Sequence, residues 1–149
     1  MEKNFFTSKE AAQITGCTLR QLQYWREKEV VLPVVDATGT GRSVYYSPTD
    51  LVELVAMQYC LSIGLSFDLA RETLKRLKDQ EPNFSNPSQS RRFMLWRDSA
   101  ERSLELVEFE PERAIACLKA GQPVIPVWLD KIHQQLVGRL KEWGDHGIS

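Results

Sequence analysis

Two short segments separated by a glycine-containing turn lie near the start of the chain and constrain its fold most strongly. Thr7 or Ser8 followed by Glu10 is a capping pattern for a short helix that Gly16 ends. Thr18 is placed to cap a second helix over residues 19–28. Two short helices joined by such a turn are typical of a helix-turn-helix.

The second helix is predicted to be amphipathic, with an apolar side and a polar side that faces outward. We interpret Trp25, on the apolar side, as a core residue. Its apolar positions are Leu19, Leu22, Tyr24 and Trp25, and its outward positions are Arg20, Gln21, Gln23 and Arg26.

A β-prone hairpin is predicted next, with residues 30–35 and 43–46 on either side of a glycine-bearing tip. Tyr45 and Tyr46 should face opposite sides of their strand, in an order that the pattern leaves open. Ser47 and Pro48 open a longer helix to about residue 62, and Ser66 caps a further helix.

Residues 82–90 are rich in Pro, Asn and Ser, which predicts a linker between a domain at 1–81 and a module at 91–149. In the second part, runs 93–96 and 104–109 predict a hairpin, Pro111 opens a short helix, and a last helix covers about 129–143. The expected fold class is α+β: an N-terminal winged helix-turn-helix followed by a small C-terminal α/β dimerisation module.

Composition narrows the possible functions. The 149 residues carry 19 Lys+Arg against 20 Asp+Glu, so nucleic-acid binding would need a local basic patch. Neither the three cysteines nor the two histidines stand at ligand spacing, and enzyme motifs are missing, so we expect no metal, no cofactor and no enzymatic activity. Without a long apolar segment or signal-peptide core, we expect a cytoplasmic protein without a membrane partner.

The order helix, turn, helix, hairpin, helix, helix resembles that of the MerR family of bacterial transcription regulators. The resemblance covers about residues 5–80. It is carried by 7–16 (TSKEAAQITG), 20–25 (RQLQYW), 41–47 (GRSVYYS), and the pairs Asp50-Leu51 and Gly64-Leu65 with Ser66. The compact tail is similar to that of the small MerR-type repressors found beside RNA-guided transposons.

The chain also departs from that family. Residues 29–32 read EVVL where the family usually has a Gly-Leu pair, and the loop of the hairpin is longer than in the metal sensors. Pro82 and the β-prone runs replace the long coiled-coil helix and the cysteine-bearing loop of those sensors. Metal sensing is therefore not implied.

The resemblance implies a sequence-specific DNA-binding regulator, a repressor acting on double-stranded promoter DNA at an inverted-repeat operator. It assigns base and phosphate contacts to the second helix, where Arg and Gln can read base edges and Tyr24 can reach a phosphate. Arg42 resembles the family's wing arginine, although a loop charge paired with Asp36 is the alternative. The predicted DNA-binding residues are Thr18, Arg20, Gln21, Gln23, Tyr24, Arg26, Arg42 and Tyr45.

One recognition helix and one wing cover only a half-site, so we expect a homodimer. An apolar stripe on the hairpin and last helix is the predicted interface; packing back onto the first domain is the alternative. The predicted interface residues are Phe93, Leu106, Leu129, Ile132, Leu136 and Leu140.

A winged helix-turn-helix is compatible with more than one function. An excisionase-like architectural DNA-bending protein or a protein-interaction module would suit the same fold. Lys75, Arg76 and Lys78 are interpreted as ion-pairing partners of Glu72 and Asp79 rather than as DNA contacts. His133 is interpreted as an interface histidine whose hydrogen bonds are satisfied.

Overall fold

The computed structural model describes residues 4–36, 44–89, 91–97 and 103–147. The first part holds strand β1 (Phe6–Thr7), helices α1 (Ser8–Thr15) and α2 (Leu19–Glu27), strands β2 (Val35–Asp36) and β3 (Val44–Tyr46), and helices α3 (Pro48–Ser62) and α4 (Phe67–Gln80). The second part holds strands β4 (Arg92–Trp96) and β5 (Glu105–Glu108), helix α5 (Pro111–Lys119), strand β6 (Val124–Trp128) and helix α6 (Leu129–Gly147). The mixed α+β class is confirmed.

The helix-turn-helix forms through side-chain caps that the sequence predicted. Thr7 caps α1, with a reciprocal hydrogen bond from its own N–H to the Glu10 carboxylate at 2.9 Å. Gly16 ends α1 with φ of 81°, a left-handed conformation that favours glycine. Thr18 caps α2 in the same reciprocal way with Gln21. These local bonds satisfy the helix ends and hold α1 and α2 on either side of a short turn.

The hairpin is shorter than predicted. Val30 and Val31 do not enter a strand, because their N–H groups instead donate to the Trp25 carbonyl at the end of α2. Strand β3 pairs antiparallel with β2 on one side and β1 on the other. Tyr46 is buried and Tyr45 half-buried, so the predicted split of the two tyrosines is confirmed.

Helix α3 forms the centre of the molecule. It begins after Ser47 with Pro48 in its first turn, as predicted, and residues 51–57 are all buried. The Asp50 carboxylate accepts hydrogen bonds from the backbone N–H groups of Ser47 at 2.8 Å and Val34 at 3.0 Å. This carboxylate therefore ties the base of the hairpin to the central helix.

The second part is a three-stranded antiparallel sheet in the order β5-β4-β6, flanked by helices. The predicted hairpin is confirmed, with Leu95 opposite Leu106. Strand β6, which follows α5, is the third strand, with Ile125 on the other side of Leu95. Helix α6 extends to Gly147, beyond the predicted end at Trp143.

Both parts of the chain contribute to one hydrophobic core, and the predicted linker over residues 82–90 takes part in it. Phe84 lies within the predicted linker, yet its side chain is buried in that core. The Tyr59 hydroxyl, on α3, donates to the Pro126 carbonyl at 3.2 Å and accepts from the Trp128 N–H at 3.2 Å. Gln80, on α4, donates to the Leu106 carbonyl at 2.9 Å. These side chains bond the outer strands of the sheet, which fixes the module on the first part.

The predicted dimer stripe lies inside the chain, and its assignment as an interface is wrong. Helix α6 packs against α1 and α3, which cover its apolar side. A side chain enclosed in this way has no surface left for a second copy. Five of the six residues are core, Phe93, Leu106, Leu129, Ile132 and Leu136, and Leu140 is partly buried against it.

Candidate nucleic-acid interface

Helix α2 turns one side into the core and the other to solvent. Leu22 and Trp25 are each only 2% exposed, which confirms Trp25 as a core residue. Leu19 and Tyr24 were predicted on the apolar side but are 55% and 43% exposed. The outward face is formed by Leu19, Arg20, Gln23, Tyr24 and Glu27.

Arg20 is exposed on this face and has neither an ion pair nor a hydrogen bond with any residue that the structure describes. Its five N–H donors therefore remain available to a ligand. Arg26 is half-buried on the flank of the helix, and Tyr45 lies on strand β3 rather than on α2. Arg42 falls outside the described residues, and its predicted contact stays a prediction.

Thr18 and Gln21 form the capping hydrogen bonds at the start of α2. The Gln21 Oε1 atom accepts the Thr18 N–H at 3.0 Å, and the Thr18 Oγ1 atom accepts the Gln21 N–H at 3.0 Å. The Gln58 side chain, on α3, donates to the same Oε1 at 3.3 Å and to the Gly16 carbonyl at 3.0 Å. The turn and the first residues of α2 are thus fixed to the central helix.

Further along the outward face, Gln23 and Glu27 are neighbours one helical turn apart. The Gln23 amide Nε2 donates to the Glu27 carboxylate at 3.2 Å, and both side chains are exposed. Sequence reasoning missed Glu27. Its only signal was the i,i+4 spacing from Gln23, which is also the spacing of an ordinary surface pair.

An aromatic contact joins α2 to the start of α4. The rings of Tyr24 and Phe67 lie 5.2 Å apart, centre to centre. Lys28 Nζ lies 5.7 Å from the centre of the Tyr24 ring, and the Arg71 guanidinium lies 5.7 Å from that of Phe67. The Arg71 guanidinium also pairs with the exposed Asp68 carboxylate at 3.4 Å. This edge therefore combines the Lys28 ammonium, the Arg71–Asp68 ion pair and the Tyr24 hydroxyl, and its cations and hydroxyl are groups that can contact a phosphate. The predicted DNA-binding residues did not include Phe67, Lys28 or Arg71.

Two of the three cations further along α4 pair within the chain, whereas Lys75 is exposed and forms no ion pair with a residue that the structure describes, contrary to its prediction. Arg76 pairs with Glu72 at 3.1 Å, as predicted. Lys78 pairs at 3.1 Å with Glu53, which is buried on α3. Burial raises the pKa of the Glu53 carboxyl, and the Lys78 ammonium opposes that rise.

Cys17, Cys60 and Cys117 are free and buried. Burial raises the pKa of the Cys17 thiol to about 11 and that of Cys60 to about 12, so these two thiols stay protonated at neutral pH. Within the described ranges, no three His, Cys, Asp or Glu side chains come together as metal ligands.

His133 is buried on α6, not at an interface, so its predicted position is wrong. Burial lowers the pKa of its imidazole, while the Phe84 backbone and Glu81 oppose that shift. Among the residues that the structure describes, none forms a hydrogen bond with its Nε2 atom, which differs from the prediction that its hydrogen bonds are satisfied.

In the part of the chain that the structure describes, no helix is both long and apolar enough to cross a membrane. The two capped helices, the hairpin base and the exposed polar side of α2 define a winged helix-turn-helix protein.

Residues 6–77 match the MerR HTH family regulatory proteins. This stretch of the chain is therefore a MerR-type helix-turn-helix domain, followed by a C-terminal α/β region.

Three relatives share 34% identity over 71 residues, which is 47% of this chain and 32% of each relative. They are uncharacterized HTH-type transcriptional regulators, one from Mycobacterium bovis and two from strains of Mycobacterium tuberculosis. The chain thus spans about a third of the length of the curated relatives it matches.

Proposed function

We propose that this protein is a sequence-specific DNA-binding transcriptional regulator, a cytoplasmic repressor that binds an inverted-repeat operator as a homodimer. The observation that carries the proposal is the exposed polar face of α2, where Arg20 pairs with no residue in the described ranges and the other side of the helix is packed into the core. A rigid helix that presents free donors suits base readout in the major groove.

The charge of the chain supports a localised interface. The formal net charge is -1, so long-range attraction to DNA is weak. The exposed cations Arg20, Lys28 and Arg71 lie on α2, just beyond it, and on α4 beside the Tyr24–Phe67 contact. We propose that Arg20 contacts bases, and that Lys28 and Arg71 contact phosphates on the flank.

Binding titrations across a salt series test this proposal. Arg20→Ala and Gln23→Ala should each weaken operator binding by about 1–3 kcal/mol and leave non-specific DNA binding little changed. Arg71→Ala should weaken binding to all sequences and reduce the salt slope by about one unit, as should Arg42→Ala if the wing contacts phosphate. Lys131→Ala, an exposed change on α6, is the control and should have no effect.

An operator affinity unchanged by Arg20→Ala would overturn the assignment of α2 as the recognition helix. Broad binding of all sequences together with strong DNA bending would favour an architectural, DNA-bending role instead.

The homodimer needs a surface other than the stripe that the core occupies. Specific affinity is the argument for it, since a single small module buries too little surface on DNA for tight specific binding. Sedimentation of the full chain with and without operator DNA tests it. Two chains per operator are expected, and one chain per complete operator would exclude the homodimer.

A further inference from the structure

The hydrogen bonds at the start of α2 decide how the Gln21 amide is oriented. Backbone N–H groups only donate, so the atom that meets the Thr18 N–H must be the Gln21 oxygen. The same oxygen also accepts from Gln58. Gln21 therefore keeps its acceptor inside the protein and has only its NH₂ group to offer to DNA. It cannot make the paired donor and acceptor contact by which glutamine reads adenine.

The Gln23–Glu27 pair has the opposite character. An ionised carboxylate only accepts, so the Gln23 atom that meets Glu27 must be the amide nitrogen. No described residue donates to the Gln23 oxygen or to the second Glu27 oxygen, so both are acceptors on the exposed face. The first turn of α2 thus presents donors, from Arg20 and Gln21, whereas Gln23 and Glu27 present acceptors further along the outward face, with the half-buried Arg26 on its flank.

A carboxylate on a face that meets DNA is unfavourable near phosphates and near any base edge that carries only acceptors. Guanine presents N7 and O6 in the major groove, thymine presents O4, and adenine places its N7 acceptor beside its amino group. Cytosine presents the N4 amino group without a neighbouring acceptor. Among the four bases, cytosine is therefore the one that Glu27 tolerates best.

We propose that Glu27 is a specificity-determining residue that, oriented by Gln23, accepts a hydrogen bond from a cytosine N4 amino group, while Arg20 and Gln21 donate to a guanine O6/N7 edge. The inference rests on the proposed function and names the bases of its half-site. Arg20 and Glu27 are seven residues apart on α2, which is a helix rise of about 10 Å. That distance corresponds to roughly three base pairs along the groove.

The alternative explanation is structural: Glu27 only pairs with Gln23 on the helix surface, and such a pair contributes little free energy. Replacing Glu27 by Gln separates the two explanations, because glutamine keeps the helix and the length of the side chain but adds a donor. A purely structural pair would leave the base preference unchanged.

Selection of bound sequences from a random duplex library tests the proposal with the full-length wild-type chain, Glu27→Gln and Gln23→Ala. Glu112→Gln, an exposed acidic residue on α5, is the control for the same change in charge. We expect the wild type and Glu112→Gln to select one motif with a G and a C about three base pairs apart. Glu27→Gln should reduce the preference for cytosine at one position by at least about fivefold and raise the preference for adenine at that position. Gln23→Ala should weaken the preference at that position alone.

Each other result has a defined meaning. A wild-type motif that Glu27→Gln leaves unchanged overturns the role of Glu27 and leaves the proposed function standing. A uniform loss of preference at every position, in a variant whose melting temperature equals that of the wild type, also overturns it. Failure of the wild type to select any motif overturns the proposed function itself.

Discussion

Substitution of Ile132 by Ala tests whether the two parts of the chain share one core. Ile132 is 0% exposed on α6, the helix that packs against α1 and α3. The change removes three carbon atoms, which at about 0.8 kcal/mol each costs roughly 2.4 kcal/mol of transfer free energy. The cavity left behind brings the expected loss to about 2–5 kcal/mol, a large part of the roughly 5–15 kcal/mol that stabilises a typical domain.

Urea unfolding followed by circular dichroism measures this loss. With an m-value of about 2 kcal/mol/M, the middle of the usual range, the midpoint should fall by roughly 1–2.5 M in a single transition. Val137→Ala, on the exposed side of the same helix, is the matched control and should change stability by less than about 0.5 kcal/mol. Hydrogen exchange should then show α1, α3 and β4 losing protection together. Loss of protection confined to the C-terminal sheet, with α1 and α3 unaffected, would refute the shared core.

Four further changes probe two turns that contain a glycine and the buried ionisable groups. Gly16→Ala places an ordinary residue at φ of 81° and should cost about 1–2 kcal/mol in thermal unfolding, as should Gly64→Ala at φ of 96°; no loss for either would exclude backbone strain there. Because burial lowers the folded-state pKa of His133, stability should decline as pH falls below about 6.5, and His133→Gln should flatten that decline; an unchanged pH profile would contradict it. Burial alone would raise the pKa of Glu81, but the hydrogen bond from Arg91 at 2.6 Å and the positive charge of that guanidinium hold it below its ordinary value. Arg91→Ala should therefore cost about 1–3 kcal/mol at pH 7, and the loss should shrink as the pH falls through the acid range where Glu81 is protonated; a loss independent of pH would argue against the pair.

The helix-turn-helix could be predicted from the sequence because its signals are local. The cap at Thr18 and the helix end at Gly16 each depend on residues three or four positions away, and the structure confirms both. The strand predicted over 30–35 failed for a related reason. The N–H groups of Val30 and Val31 donate to the Trp25 carbonyl at the end of α2 instead of to a neighbouring strand. The β-propensity of valine does not account for that alternative hydrogen bond.

The candidate interface was only partly predictable. Arg20 and Gln23 follow from helical periodicity, which separates the outward side from the buried one. The orientation of the Gln21 amide does not, because it depends on Gln58, which lies 37 residues away in the chain. Phe67 and Arg71 were missed for the same reason, since only the folded chain brings α4 beside Tyr24.

The sequence by itself determined the helices, their caps, the C-terminal hairpin and the apolar stripe of α6. Only the tertiary structure decided what covers that stripe: Ile132 and Leu136 pack against the first part of the chain rather than against a second copy. The physical reason is that burial of apolar surface is non-directional and proportional to area. A row of leucines and isoleucines therefore shows that a surface will be covered, while the three-dimensional arrangement of α1, α3 and the sheet selects what covers it.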